Sequence, residues 1–296
     1  MSDRAVLDLK FFPAPEQFAD CITAIYRIEV HLPRGEVVSD WLLPEWGNLR
    51  FVSHSEERQG HLAEQPLGPG GFYATGPTSR TLRFSIGRAR LWGFGLLPLG
   101  WAQFVRAPAS ALVNHALDGA GHPAFAHFAR FAARLEAAPA EDWGEYRLLC
   151  EALAELARPP REEGRIRAVQ QAMTDPYLLH IPDFAERAGV SVRTLERVCL
   201  KYFGFSPNVI LRRQRLVRSL AAFINEGSAR WSEMIDRHYH DQSHFVREFH
   251  HFMGMSPSEY AGLEHPIMRA FMANRQQVWG SPARPDQLPP GPPASG

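Results

Sequence analysis

The strongest constraint on the fold is an internal repeat near the C-terminal end. Leu195-Glu196-Arg197-Val198-Cys199 runs on to Phe203-Gly204-Phe205-Ser206-Pro207, and at a constant offset Phe245-Val246-Arg247-Glu248-Phe249 runs on to Met253-Gly254-Met255-Ser256-Pro257. Leu195 matches Phe245, Arg197 matches Arg247, Gly204 matches Gly254, and each copy ends in Ser-Pro. A unit used twice at fixed spacing is one supersecondary module, so this part of the chain is a tandem helical structure.

Each part of the unit has a physical reason. Glycine takes the left-handed conformation that ends a helix without a steric penalty. Ser206 and Ser256 are suited to cap the next helix, and Pro207 and Pro257 fall at its first position, where no amide donor is needed. Ser256 with Glu259 makes a capping box. Upstream, Phe184-Ala185-Glu186-Arg187-Ala188-Gly189-Val190-Ser191 reads as a short helix with small residues, a glycine turn and a serine cap. The result is a helix-turn-helix, with a reading helix from Ser191 to Tyr202 that enters the major groove by its N-terminal residues. Leu195, Val198, Cys199 and Tyr202 are its expected core positions.

Residues from about Arg165 to Leu263 resemble the AraC/XylS family of transcription regulators. The most specific segment is Asp241-Gln242-Ser243-His244-Phe245 through Phe249 to Gly254-Met255-Ser256-Pro257-Ser258-Glu259-Tyr260. The resemblance implies two helix-turn-helix units joined by one long helix, here Pro207 to about Ile224, so that both reading helices meet one face of DNA. At 1.5 Å per residue that strut is about 27 Å long, compatible with a DNA turn of about 34 Å. One departure stands out: Trp231-Ser232-Glu233-Met234-Ile235-Asp236-Arg237-His238-Tyr239-His240 is a residue shorter than the usual second unit and puts His238 where the family has a turn glycine.

Position on the helix sorts the polar residues. Arg193, Thr194, Glu196 and Arg197 in the first reading helix, and Gln242, Ser243, His244 and Arg247 in the second, are expected to face base edges. Arginine can donate in a bidentate manner to guanine, and glutamate can accept from the cytosine amino group. Ser191, Lys201, Ser206, Arg212, Arg213 and Arg215 are expected on phosphates, which orient without specifying sequence. The chain has no formal net charge, yet from Ser191 to Arg218 seven basic residues face one acid, a local charge of +6 suited to a polyanion. The same pattern would also arise on an ordinary solvated helix face.

With 45% hydrophobic and 22% charged residues, the composition excludes a disordered chain. No run approaches the roughly 18 uncharged apolar residues that a membrane span needs, and Asp3, Arg4 and Asp8 interrupt the stretch where a signal peptide needs apolar residues. Cys21, Cys150 and Cys199 are odd in number, scattered and in no metal or redox spacing, which fits buried thiols in the cytoplasm. His238, His240, His244, His250 and His251 lie close in sequence, but His240 and His244 fall where DNA contacts belong. His31, His54 and His61 lack the clustered pattern of a metal-bearing cupin. No metal and no cofactor is expected.

From Cys21 to about Leu97 the period is two: Ile22, Ala24, Tyr26, Ile28 and Val30 alternate with Thr23, Arg27, Glu29 and His31, with Gly-Pro turns between such runs. The expected fold class is therefore α+β and multidomain. Residues 1–120 form a β-rich, cupin-like barrel or sandwich, with a helical pair over 121–158. A linker spans 159–164, an all-α domain with two helix-turn-helix units spans 165–265, and 281–296 form a proline-rich disordered tail. Phe125, Phe128, Phe131 and Leu135, and then Tyr146, Leu149, Leu153 and Leu156, make two apolar stripes suited either to a homodimer or to covering the β-domain. Gly76-Pro77-Thr78 and the run from Trp92 to Trp101 resemble a recurrent N-terminal module of such regulators. Trp41, Phe51, Phe72, Trp92 and Phe94 are candidates to line an effector pocket, although dense aromatics are more often plain core.

Together these readings describe a DNA-binding regulator with double-stranded DNA as partner, a small-molecule effector, and RNA polymerase if it activates. Two other classes compete. A DNA-repair alkyl acceptor with the same DNA-binding half would need an activated cysteine, which the scattered thiols do not suggest. A ligand-binding scaffold with a degenerate DNA half would show no sequence-selective binding. No phosphate loop or nucleophile elbow occurs in the sequence.

Overall fold

A computed structural model describes residues 6–55, 60–63, 65–66, 71–175, 177–226, 239 and 241–271. The shortened start of the second unit, apart from Tyr239, and the proline-rich tail lie outside the described residues.

The N-terminal half pairs two antiparallel sheets. β1 (Val6–Phe12), β2 (Ile22–His31), β9 (Ala89–Leu96), β4 (Gly47–His54), β7 (Phe72–Thr75) and β10 (Ala116–Asp118) form the larger in the order β1-β2-β9-β4-β7-β10. β3 (Val38–Leu42), β8 (Leu82–Ile86), β5 (Gly60–Leu62) and β6 (Gln65–Pro66) form the smaller in the order β3-β8-β5-β6. The pairing register follows from the period-two pattern, because a slip of one residue would exchange the faces. Tyr26 stands opposite Gly93 and Arg50 opposite the same glycine, on the face that looks toward the small sheet. A Cβ on Gly93 would lie 2.3 Å from the Tyr26 ring, so the bare backbone makes room for that ring.

The other face of the large sheet is not solvated. Phe51, Phe72, Trp92 and Phe94 lie there, fully buried, beneath α2 (Ala129–Ala137) and α3 (Asp142–Leu156). The Phe51 and Phe72 rings stack at 4.4 Å and Phe131 of α2 meets Phe51 edge-on at 4.8 Å. The stripes Phe125-Phe128-Phe131-Leu135 and Leu149-Leu153 are thus filled within the chain. Arg27, which alternates with the apolar residues of β2, is buried beneath α3. With Arg90 it meets Asp142, and Arg90 also binds Glu145. Burial opposes ionisation of Asp142, but the hydrogen bonds from Lys10 and Arg90 and the charge of Arg27 outweigh it and hold the carboxyl at about 2.

α1 (Pro98–Phe104) leads out of the sheet, and after α3 the chain enters α4 (Glu163–Ala172). The stretch expected as a linker does not separate two cores. One apolar cluster runs from Phe12 and Phe18 through Trp101 and Phe128 to Phe184, Leu195, Phe203 and Leu211. Gln170 of α4 stitches this junction, accepting from the Leu99 amide at 3.1 Å and donating to the Asp20 carbonyl at 2.9 Å. Then come α5 (Ile181–Arg187), α6 (Val192–Val198), α7 (Pro207–Glu226), α8 (Gln242–Met253), α9 (Pro257–Ala261) and a helical segment over 266–271. A second cluster fills the space between the sheets, and a third joins Leu216 and Leu220 of α7 to Phe245, Phe249 and Phe252 of α8 and to Tyr260.

Candidate nucleic-acid interface

The two reading helices are built alike. At the start of α6 the Ser191 hydroxyl accepts from the Thr194 amide at 3.2 Å, and at the start of α8 the Asp241 carboxylate accepts from the His244 amide at 2.7 Å. Each cap satisfies an amide that the helix itself cannot, worth about 1 kcal/mol. α6 is shorter than the sequence suggests. Its α-geometry stops at Val198, and a wider π-turn over Cys199–Phe203 carries the chain to Gly204. Both units then end on glycine in the left-handed region, with φ of 86° at Gly204 and 69° at Gly254. After the second, Ser256 and Glu259 form the expected capping box.

Residues 191–200 and 241–250 share one profile of exposure, position by position. Leu195, Val198 and Cys199 are buried, as are Phe245, Glu248 and Phe249. Arg193, Glu196 and Arg197 are exposed, as are Gln242, Ser243 and Arg247, while Thr194 and His244 are half-buried. The candidate base-reading residues therefore lie on the ridge that each helix turns away from its core. They are not equally available. The Arg197 guanidinium grips the Glu162 carboxylate through two hydrogen bonds of 3.0 and 2.5 Å, and Lys201 and the Tyr202 hydroxyl donate to the same carboxylate at 3.3 and 3.0 Å. The Arg197 bonds chiefly hold the Glu162 carboxyl at about 2. Glu162 sits in the stretch read as a linker, and nothing in its sequence neighbourhood distinguishes it.

Residues 184–262 match the family model described as a helix-turn-helix domain. This segment is an AraC-type helix-turn-helix domain. No curated protein matches the chain. Among solved structures it is similar to ToxT from Vibrio cholerae in its P21 form, at 8% identity and a TM-score of 0.44, covering 86% of this chain and 97% of that one. It is also similar to ToxT from Vibrio cholerae O395, at 8% identity and a TM-score of 0.37, covering 87% and 96%.

Within the AraC-type domain, one phosphate candidate is corrected by its surroundings, and others have partners inside the chain. Arg213 is fully buried: its guanidinium lies 3.6 Å from the centre of the Trp46 ring and donates to the carbonyls of Glu45 and Thr78 at 3.2 and 3.3 Å. It anchors α7 to the β-domain and cannot reach a phosphate. The reason is helical phase, since Arg213 falls on the stripe with Ile210 and Val217, which are buried too. Arg212 is largely occupied, clamping Glu248 of α8 with bonds of 3.0, 3.0 and 2.6 Å above the Phe252 ring. Arg215 packs 5.8 Å from the Tyr239 ring. Ser191 is spent as a cap, Ser206 is half-buried, and Lys201 leans on Tyr202 beside Glu162. The Gly76-Pro77-Thr78 motif finds its use here, because Thr78 exchanges hydrogen bonds with Glu45 and so shapes the carbonyl pair that receives Arg213.

The AraC-type domain also touches the β-domain through its second unit: the Thr81 amide donates to the Phe252 carbonyl at 3.0 Å. Further along, the buried Asp40 carboxylate of β3 accepts from the Ile267 and Met268 amides, both at 2.8 Å, and from His265 Nδ1 at 3.2 Å. Sequence reasoning passed over Glu45, Trp46, Asp40 and Glu162. Only Trp46 carried a signal, as one member of the aromatic-rich front half.

The proposed effector pocket is corrected as well. Phe51, Phe72, Trp92 and Phe94 are solid core under α2, and Trp41 lies beneath Arg83. The cavity, about 120 Å³, opens on the opposite face, between the two sheets, where Tyr26, Ile28, Arg50, Val52 and Leu91 point. Alternation distinguishes two faces but does not say which one a helix covers. Among the described residues no three His, Cys, Asp or Glu side chains gather as a metal cluster, and no helix is long and apolar enough to cross a membrane.

Proposed function

We propose that the chain is a sequence-specific DNA-binding transcription regulator whose two reading helices enter successive major grooves of one duplex, and whose β-rich half responds to a small molecule. The reading rests on the shared exposure profile of 191–200 and 241–250. Two capped helices that bury the same positions and offer the same ridge suit a ligand that repeats, as a DNA groove does. The strut α7 has 20 residues, about 30 Å, close to one turn of DNA at about 34 Å. Gln242, Ser243, His244 and Arg247 are the base-reading set of the second helix, and Arg193, Thr194, Glu196 and Arg197 that of the first. Double-stranded DNA is the partner, with RNA polymerase alongside if the protein activates. A homodimer would need surface other than the filled stripes of α2 and α3.

Selection of bound sequences from a random double-stranded library, followed by footprinting, tests the reading. Two protected segments about one helical turn apart are expected, with affinity falling steeply as salt rises. Binding without sequence preference would overturn it. The alkyl-acceptor reading finds no support in the thiols. Burial pushes Cys21 up to about 12 and raises Cys150 and Cys199, the reverse of what a nucleophilic thiolate requires.

A further inference from the structure

The cavity between the sheets has a composite wall. Ile28, Val52, Leu91 and Ile86 come from the β-domain, while Ile267, Met268 and Phe271 come from the segment that follows the AraC-type domain. That segment is seated firmly at its start, where Asp40 caps its first turn through the Ile267 and Met268 amides. Farther along, the Phe271 ring meets Phe11 at 4.9 Å and Tyr26 at 5.1 Å, both edge-on. Anything that fills the cavity therefore touches both halves of the protein at once.

The polar groups define what can enter. Arg50 and His61 are the basic side chains among the lining residues; His61 is exposed, and the charge of Arg50 is already matched: it holds Glu45 at 2.6 Å and donates to Thr75 at 3.2 Å. Asn48 accepts from Tyr26 at 3.0 Å and donates to Glu45 at 3.4 Å. A ligand carboxylate would thus find a neutralised site and would lie buried without a counter-charge, a large cost. The hydroxyls of Tyr26 and Ser85 can still serve a single hydrogen-bonding group. The volume, about 120 Å³, is slightly below the roughly 150 Å³ of an apolar cavity that admits benzene.

We propose that this cavity is the effector site, that it takes an uncharged, largely apolar molecule of about one ring with a single hydrogen-bonding group, and that the helix over 266–271 is the wall through which occupancy reaches the DNA-binding half. The proposal deepens the reading of the chain as a ligand-responsive regulator and depends on it for the link to DNA. The test uses the full chain with 4-ethylphenol, indole and benzyl alcohol as neutral probes and 4-ethylbenzoate as the charged counterpart, followed by titration calorimetry. At least one neutral probe should bind saturably at one site, with 4-ethylbenzoate weaker by about tenfold or more, since tenfold is only about 1.4 kcal/mol against an unpaired buried charge. Phe271→Ala should weaken the neutral probe by about tenfold or more, and Val52→Phe, which fills the cavity from the β-domain side, should abolish binding while circular dichroism shows both variants folded. The bound probe should also shift affinity for the selected DNA site, and Phe271→Ala should blunt that shift.

No binding by any neutral probe, equal binding by the carboxylate, or indifference to both variants would overturn the site while leaving the DNA reading intact. Probe binding with no change in DNA affinity would overturn the coupling. Saturable probe binding by a protein that selects no DNA sequence would keep the site and remove the regulator reading instead.

Discussion

The two reading helices have the same caps, the same buried positions and the same exposed ridge, yet they sit in different surroundings. The first is continuous with the main core of the β-domain and is clamped by Glu162 across Arg197, Lys201 and Tyr202. The second belongs to a separate cluster and is held by the Arg212–Glu248 pair, and its Arg247 stands on the exposed ridge. Local sequence makes the two helices alike; what packs on them makes them differ. The first helix must give up a carboxylate partner before Arg197 can meet a base, whereas the second carries no such partner at the equivalent Arg247 among the contacts of the described residues.

The sharpest way to break this comparison is to cut the anchor of the first unit. Arg213→Ala should lower stability by about 3 kcal/mol, because it empties a buried site and takes from the Thr78 carbonyl its donor, while the Glu45 carbonyl keeps the Thr78 amide. Arg247→Ala should stay within about 0.5 kcal/mol, as exposed changes usually do. Urea unfolding of both variants decides the matter, and equal effects would show that the first unit is not tied to the β-domain.

The helix stops give the next contrast. Alanine in a left-handed position costs about 1–2 kcal/mol. At Gly254 nothing lies near the added methyl, whereas at Gly204 it would press within 2.9 Å of Val113 and 3.2 Å of Pro77. Gly204→Ala should therefore destabilise more than Gly254→Ala in the same denaturation assay.

On DNA the order reverses. Arg247→Ala should cost about 1–3 kcal/mol and relax specificity at a few base pairs of the second half-site. Arg197→Ala should cost less, because Arg197 must first give up its Glu162 partner before it can meet a base, and Glu162→Gln should raise affinity for the first half-site. Fluorescence anisotropy on the selected site reads all three; a weaker complex from Glu162→Gln would mean that the clamp shapes the helix for DNA rather than competing with it.

The smallest effect is in pH. Glu162 has a folded value of about 2, below its ordinary 4.5, so its clamp contributes stability above the ordinary carboxylate range and loses it as pH falls toward 2. The stability difference between the native chain and Glu162→Gln should shrink across that window, and a difference independent of pH would rule out the charge as its source.

Much of the C-terminal half was legible because its signals are local. Gly204, Gly254, Ser191 and the Ser256–Glu259 box act on amides within four residues of themselves, so their meaning does not depend on distant packing. The front half was legible only as alternation. Phe51, Phe72, Trp92 and Phe94 were recognisable as one face of a sheet, but the arrival of α2 turned that face into core and left the cavity to Arg50, Tyr26 and Val52. Arg213 and Arg212 were misread for a related reason: both sit in a basic run that looks solvated, and only the partners Trp46 and Glu248 reveal otherwise.

The sequence alone determined the tandem module, its helix starts and stops, and the ridge each reading helix exposes, since capping, left-handed glycine and helical periodicity are short-range effects. Only the tertiary structure decided which arginines remain available, which sheet face is hollow, and that Asp40 holds the far end of the chain. Those outcomes depend on pairs separated by tens to hundreds of residues, whose energies exist only once the elements have packed.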